Sequence, residues 1–407
     1  MTPDTKVDIE MTIDRGDSIG AMEPLSIGEG SPRRAPLADL ALELVAKSEG
    51  FRRSLPPAMV SSLADLVRSM NCYYSNLIEG HDTHPIDIER ALAEDFSASP
   101  EKRNLQLEAR AHIHVQRWLD EGGLSGGRAM TATGIAEVHH RFYAEIPDDL
   151  AWVENPQTGK RVRVRGGEWR DQDVQVGQLI AISPGAIPRF MDRFEAHYAK
   201  QGKLETVISV AAAHHRLAWI HPFLDGNGRV MRLMSHAVLL DAVGSGGLWS
   251  VARGLARNSA GYKALLAACD LPRRNDLDGR GTLSEEALAD FTRFFLQVCL
   301  DQVQFMEGLM KPQELQTRVR VWAEEETRLR RLPLGSVAIL DALLYRGELP
   351  RSELPAILGV GDRQSGRVTN ALIASGAVTS ETSRAQLKLA FPASLAGRWM
   401  PGLFPDA

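Results

Sequence analysis

The stretch His221–Arg232 reads HPFLDGNGRVMR and lies between two apolar runs, AAAHHRLAWI before it and LMSHAVLL after it. Gly226 and Gly228 lack side chains, so backbone N–H groups there can turn toward an anion and approach it closely. Asn227 adds an amide donor. The helical pattern that starts here and runs through Leu240 directs its positive N-terminal end at the same spot. Together these features predict a phosphate cradle. Arg229 and Arg232 are three residues apart, so on a helix they project from one face and can each grip a phosphate oxygen with a planar fork. Asp225 is a hard oxygen ligand beside the cradle, of the kind that holds Mg²⁺ against a di- or triphosphate. His221 adds an imidazole able to take a proton from an incoming hydroxyl near neutral pH. Taken singly, His221 reads as a helix-end residue, Asp225 as an N-cap and Arg232 as a solvated face; the spacing of the whole set points to nucleotide chemistry.

The stretch resembles the signature of the Fic family, HPFx(D/E)GNGRxxR, at every fixed position from His221 to Arg232. The resemblance implies transfer of a nucleotide monophosphate, usually AMP from ATP, onto a protein Ser, Thr or Tyr hydroxyl. It implies His221 as general base, Asp225 as Mg²⁺ ligand, and Asn227 with the Gly226 and Gly228 amides at the α-phosphate. Arg229 and Arg232 would take the β- and γ-phosphates, and Phe223 would anchor the loop in the core. Use of UTP or GTP, or removal of AMP from a modified protein, stays open, because the signature addresses phosphates rather than the base.

With 407 residues and 44% apolar content the chain can bury a large core, and its length allows two or three domains. A net charge of -5 argues against nonspecific binding of the whole chain to nucleic acid or a membrane surface. Cys72, Cys269 and Cys299 are widely spaced with no CxxC, which predicts reduced, buried thiols rather than a disulfide framework or zinc site. No apolar run reaches the length of a membrane span and no apolar segment follows Met1, so a cytoplasmic location is expected.

Residues 1–35 are rich in acidic residues, Gly and Pro, with no helical period, and read as a disordered leader. Helical patterns begin at Pro36, giving an N-terminal helical region over 36–120. Within it YYSNLIEG places Ser75 and Glu79 on one helix face, with Gly80 as the stop. This resembles the family's inhibitory motif, (S/T)xxxE(G/N), in a helix over about residues 70–80. It implies that Glu79 pairs with Arg232 at the γ-phosphate position; the alternative is an ordinary exposed helix residue. His139 and His140 are adjacent, so on a helix they diverge and read as structural.

The catalytic core is expected over 121–300. Residues 155–178 alternate Val with Arg between turn formers and read as one short β-hairpin. It resembles the family's flap, beginning at Gly167 and Arg170, with Val174 to Gly177 as the tip strand and Val176 and Gly177 near the nucleotide. The flap would register a target protein by strand addition. Alternatively Arg161, Arg163 and Arg165 form only the solvent face of a ribbon. Only Pro184 and Pro188 stand where relatives carry a Pro-rich run. His214 and His215 read as core-supporting. Tyr262 is a candidate for contact with the base, against plain core packing, and Cys269 stands where some relatives have a nucleotide-contacting Asn.

Residues 301–332 read as a charged linker helix. From 333 to 407, three short helices and a hairpin predict a winged-helix domain. Arg363, Arg367, Arg384 and Lys388 could touch DNA phosphates, but the segment is only weakly basic, which favours protein docking or support of a homodimer. The fold class expected is mainly α: a Fic-type helical bundle with a small β-hairpin flap, followed by a winged helix-turn-helix domain. The function expected is an autoinhibited adenylyltransferase using ATP and Mg²⁺; the alternative is a DNA-binding regulator whose core senses nucleotide.

Overall fold

The computed structural model describes residues 13–154, 159, 161–176 and 179–405. The chain runs through α1 (Arg34–Arg53), α2 (Pro57–Ile78), α3 (Pro85–Leu92), α4 (Pro100–Asp120) and α5 (Ala132–Ala144). Four short strands follow: β1 (Trp152–Glu154), β2 (Arg161–Arg163), β3 (Gln175–Val176) and β4 (Leu179–Ile180). Helices resume with α6 (Ile187–Tyr198), α7 (Lys203–Ile220), α8 (Asn227–Ala242), α9 (Val251–Arg257), α10 (Ser259–Ala268), α11 (Glu285–Leu309) and α12 (Pro312–Arg328). The last part holds α13 (Ser336–Arg346), β5 (Glu348–Leu349), α14 (Leu354–Leu358), α15 (Asp362–Ala374), β6 (Val378–Thr379), β7 (Leu387–Leu389) and α16 (Ala393–Trp399). The mainly helical class is as expected. No described helix is long and apolar enough to cross a membrane.

The chain divides into two units, each built from separated segments. The first takes the chain up to Asp39, Leu124–Val238 and Ala260–Phe294; the second takes Leu40–Gly123, Leu239–Ser259 and Phe295–Ala407. This grouping differs from the consecutive domains expected at 36–120, 121–300, 301–332 and 333–407.

In the first unit α7 is the central element. It is buried on nearly every face from Val207 to Ile220, and Ala211–Ala213 let neighbours approach closely. Phe190 and Phe194 of α6 and Phe291 of α11 fill the space around it. The expected disordered leader departs from expectation from residue 13 onward. Met22, Leu25 and Ile27 are buried, and the fully buried Arg216 guanidinium donates to the Pro24 carbonyl through Nε at 3.2 Å and Nη2 at 2.8 Å. These contacts lie some 190 residues away in sequence, so the local composition of the segment does not report them.

The segment expected as one hairpin forms two ribbons. β1 pairs antiparallel with β2, Val153 opposite Val162, and β3 pairs antiparallel with β4, Val176 opposite Leu179. Between them the chain turns at Gly167, whose φ is +86°, because a Cβ there would meet His140 Cβ at 3.1 Å and the Ala136 carbonyl oxygen at 3.2 Å. Gly177, expected near the nucleotide, lies outside the described residues.

In the second unit α2 is buried along most of its length. The expected linker is two helices, the end of α11 and α12, and α12 is packed rather than solvated throughout. Trp322 meets Trp399 edge-on at 5.1 Å, and Arg318 Nε donates to the Trp399 carbonyl at 2.7 Å. Beyond it lie the three expected helices, α13, α14 and α15, a fourth, α16, and an antiparallel sheet of order β5-β7-β6, in which β5 adds a strand to the expected hairpin. The three cysteines are free and buried, as the sequence predicts.

Candidate active site

The signature loop leaves α7 at His221, which caps that helix in the left-handed region (φ 49°, ψ 62°) with its N–H on the Leu217 carbonyl at 3.1 Å. A non-glycine residue is rarely held there, and such residues cluster at functional sites. His221 Nδ1 lies 3.3 Å from the Ala218 carbonyl oxygen. A carbonyl only accepts, so this contact places the proton on Nδ1 and the lone pair on Nε2, the tautomer a general base needs.

The loop is locked from three sides. From within, Asn227 holds the Phe223 backbone at both ends, accepting from its N–H at 3.0 Å and donating to its carbonyl at 2.8 Å. Asn227, expected as an anion donor through its side chain, therefore turns its amide into the loop as a brace. From the ribbon side, the buried Arg170 donates through Nε to the His221 carbonyl at 2.8 Å and through Nη2 to the Ile182 carbonyl at 2.7 Å. Its own N–H donates to the Pro222 carbonyl at 2.9 Å. Burial pushes this guanidinium down to about 10, still charged at neutral pH.

From α5, His139 stacks on Phe223 with centroids 3.8 Å apart and planes 2° from parallel. Its Nδ1 accepts from the Gly167 N–H at 2.8 Å, so Nε2 carries the proton and donates to the Asp225 carbonyl at 3.1 Å. That arrangement requires a neutral ring, and burial holds His139 down to about 4. One turn along, Tyr143 donates from its hydroxyl to Asp225 Oδ2 at 2.7 Å. Its ring lies against Gly226, where a Cβ would meet Tyr143 Cε2 at 3.1 Å and where φ is +78°. Sequence reasoning missed His139 and Tyr143 as loop contacts: their i, i+4 spacing is visible, but their partner lies more than eighty residues away.

The ladder of α8 opens with Val230 N–H donating to the Gly226 carbonyl at 3.0 Å, so the N–H groups at the start of the helix precede the ladder and point out of its end. Arg229 is buried with its guanidinium 5.3 Å over the Phe142 ring, and Arg232 is buried one turn on. Asp225 is exposed at the mouth. Beside it a small cleft of about 100 Å³ is lined by Val162–Arg165, Glu168–Asp171 and Leu224. Among the described residues no group of three or more His, Cys, Asp and Glu side chains comes together as a self-sufficient metal site.

Two expected residues stand elsewhere. Tyr262 is 2% exposed and its hydroxyl bonds His214 Nε2 at 2.8 Å, so it is a core residue rather than a platform for a base. His214 also reaches Ser235 Oγ at 2.8 Å, and His215 bonds Asp270 at 2.9 Å, so both histidines serve the core as expected. Cys269 is fully buried with its thiol on the Leu265 and Ala287 carbonyls, and burial pushes it up to about 12. It offers nothing to a nucleotide. Val176 lies in the second ribbon. In the second unit Glu79 caps α2, and Gly80 with φ +89° stops that helix. Ser75 is buried on the last turns of α2.

Residues 129–239 match the model of the Fic/DOC family. A protein adenylyltransferase Fic from Nematostella vectensis is 27% identical over 173 residues, 42% of this chain and 37% of that protein. One from Drosophila grimshawi is 40% identical over 115 residues, 28% of this chain and 21% of that protein. The match therefore spans well under half of these relatives' length. Among solved structures, a Fic family protein from Desulfovibrio desulfuricans G20 aligns with a TM-score of 0.52 at 16% identity, covering 90% of this chain and 98% of that one. Residues 134–508 of Fic-1 from C. elegans align with a TM-score of 0.51 at 17% identity, covering 68% and 74%. These structural likenesses show a shared fold. The signature loop, its bracing and the family match converge on residues 129–239, and the chain carries a Fic/DOC family domain there.

Proposed function

We propose that this chain is a protein adenylyltransferase, moving AMP from ATP to a Ser, Thr or Tyr hydroxyl of a protein. The observation that carries the reading is the contact of His221 Nδ1 with the Ala218 carbonyl, which assigns the proton to Nδ1, within a loop that ends at the N-terminus of α8. The relatives matched over this segment are named protein adenylyltransferases. In the reaction His221 Nε2 takes the hydroxyl proton as the oxygen attacks the α-phosphorus. A P–O bond to the target forms, the bond to the β-phosphate breaks, and pyrophosphate leaves. The Ala218 carbonyl then faces the Nδ1–H of an imidazolium and stabilises its charge.

The first N–H groups of α8 would meet the phosphates, with Arg229 and Arg232 on the β- and γ-groups. Asp225 would give one carboxylate to Mg²⁺, the other ligands being phosphate oxygens and water, the usual manner of holding this ion beside a nucleotide. Such an ion supplies charge neutralisation along the phosphate chain. The β3–β4 ribbon would align the target by strand addition. The pattern of Ser75, Glu79 and Gly80 at the end of α2 supports autoinhibition, in which the Glu79 carboxylate would compete with the γ-phosphate of ATP. The helices α13–α15 and the β5-β7-β6 sheet suit a winged-helix module for docking protein; Lys388 is paired with Glu381 at 2.8 Å, which offsets part of the positive charge of the candidate phosphate-contacting set.

The test is His221→Asn, chosen because Asn tolerates the left-handed backbone that Ala would adopt at a cost of about 1–2 kcal/mol. Transfer of labelled AMP should fall by roughly a hundredfold or more with the melting temperature unchanged. Undiminished transfer would remove the base.

A further inference from the structure

Asp225 is held by two atoms of one helix. The His139 Nε2–H fixes its backbone carbonyl and the Tyr143 hydroxyl fixes Oδ2 of its carboxylate, four residues apart on a single face of α5. Asp225 is otherwise an exposed side chain on a loop, the kind that samples several rotamers. With Oδ2 engaged by a phenol, this orientation of the side chain is favoured over its alternatives, and in it Oδ1 is the oxygen presented to a cation. Gly226 is part of the same arrangement, since the Tyr143 ring occupies the space a side chain there would need.

We propose that Tyr143 is a positioning residue that pre-orients the Asp225 carboxylate for a divalent cation bound with the nucleotide's phosphates. The proposal rests on the assignment of Asp225 as cation ligand. Partners that orient a ligating carboxylate contribute about ten- to a hundredfold to metal affinity, and with a single protein carboxylate in play the lower end applies. Tyr143→Phe keeps the ring against Gly226 and removes only the hydroxyl.

The experiment measures ADP binding to the full chain by calorimetry, with Mg²⁺ and with EDTA. ADP lacks the γ-phosphate with which Glu79 would compete. The readout is the factor by which Mg²⁺ tightens ADP binding, a coupling that a merely structural role would not move. Tyr143→Phe should cut that factor by about tenfold, with affinity in EDTA and the melting temperature unchanged. Asp225→Ala should abolish it. If Asp225→Ala abolishes the factor and Tyr143→Phe preserves it, the positioning role is overturned. If Asp225→Ala preserves it, the cation assignment itself falls. Should Tyr143→Phe weaken binding equally in EDTA and in Mg²⁺, Tyr143 shapes the loop rather than the carboxylate, and the proposal is again overturned.

Discussion

At the scale of the residue, Asn227, expected as an anion donor, serves in the structure as a brace of its own loop. Its amide has both a donor and an acceptor end, and both are used on Phe223, which is itself buried between His139 and the core. Asn227→Ala would leave a buried N–H and carbonyl of Phe223 without these partners, a loss of about 2–4 kcal/mol. Denaturant unfolding should show it, together with reduced AMP transfer; unchanged stability would mean that the brace is dispensable. Asn227→Asp should also lose stability, because a carboxylate can accept from the Phe223 N–H but faces its carbonyl. The sequence discloses which residues share the loop, since Gly226, Asn227 and Gly228 are adjacent and their chemistry is local. It does not disclose what each side chain touches. Resemblance of its segment to the family's makes Tyr262 a candidate for contact with the base, and the structure spends its hydroxyl on a buried histidine.

At the scale of the element, periodicity reports which face of a helix is buried and is silent on what covers it. The helices flanking the signature, α7 and α8, were legible for that reason, and so was the stop of α2 at Gly80. The two ribbons are not separable from the sequence, because the segment between them is anchored by distant partners: Arg170 donates to the His221 and Ile182 carbonyls, 51 and 12 residues away. In the second unit α2 is covered by the segment after α16. Tyr74 donates to the Leu403 carbonyl at 2.9 Å, and Tyr73 meets Phe404 edge-on at 5.7 Å. Arg253 binds the same segment, donating to the Gly402 carbonyl at 2.7 Å and to Gln302 at 2.9 Å, with its guanidinium 3.7 Å over the Phe305 ring. Arg253→Met keeps much of the packing and removes the donors. It should cost about 2–3 kcal/mol and raise hydrogen exchange in Gly402–Phe404 and along α2; exchange unchanged in both would show that the segment is held by apolar contact alone.

At the scale of the whole molecule, the two units are each assembled from three separated segments, and no local signal announces that. Bonds such as Trp249 Nε1 to Ser48 Oγ at 2.9 Å join residues 201 apart within the second unit. The first unit carries a pH signature of its own. Burial holds His215 down to about 4 and His214 well below 6.5. The folded state thus binds fewer protons than the unfolded chain, so the stability these groups contribute is fully present above about 6.5 and is lost as pH falls from there toward 4. At pH 5 the loss from His215 should be about 2 kcal/mol, with His214 acting in the same direction, and melting curves should shift down accordingly; a flat profile over that window would contradict the neutral buried pair. The central claim is the proposed transfer chemistry at His221, with Glu79 proposed as its inhibitor. It is tested most directly by incubating the full chain with labelled ATP and Mg²⁺ and locating the label on protein by mass spectrometry, in wild type, Glu79→Gly and Glu79→Gly with His221→Asn. The account predicts AMP on a hydroxyl side chain at a low level in wild type, a marked rise in Glu79→Gly and loss of the label in the double variant. Label that is absent from Glu79→Gly, or that persists without His221, would contradict it.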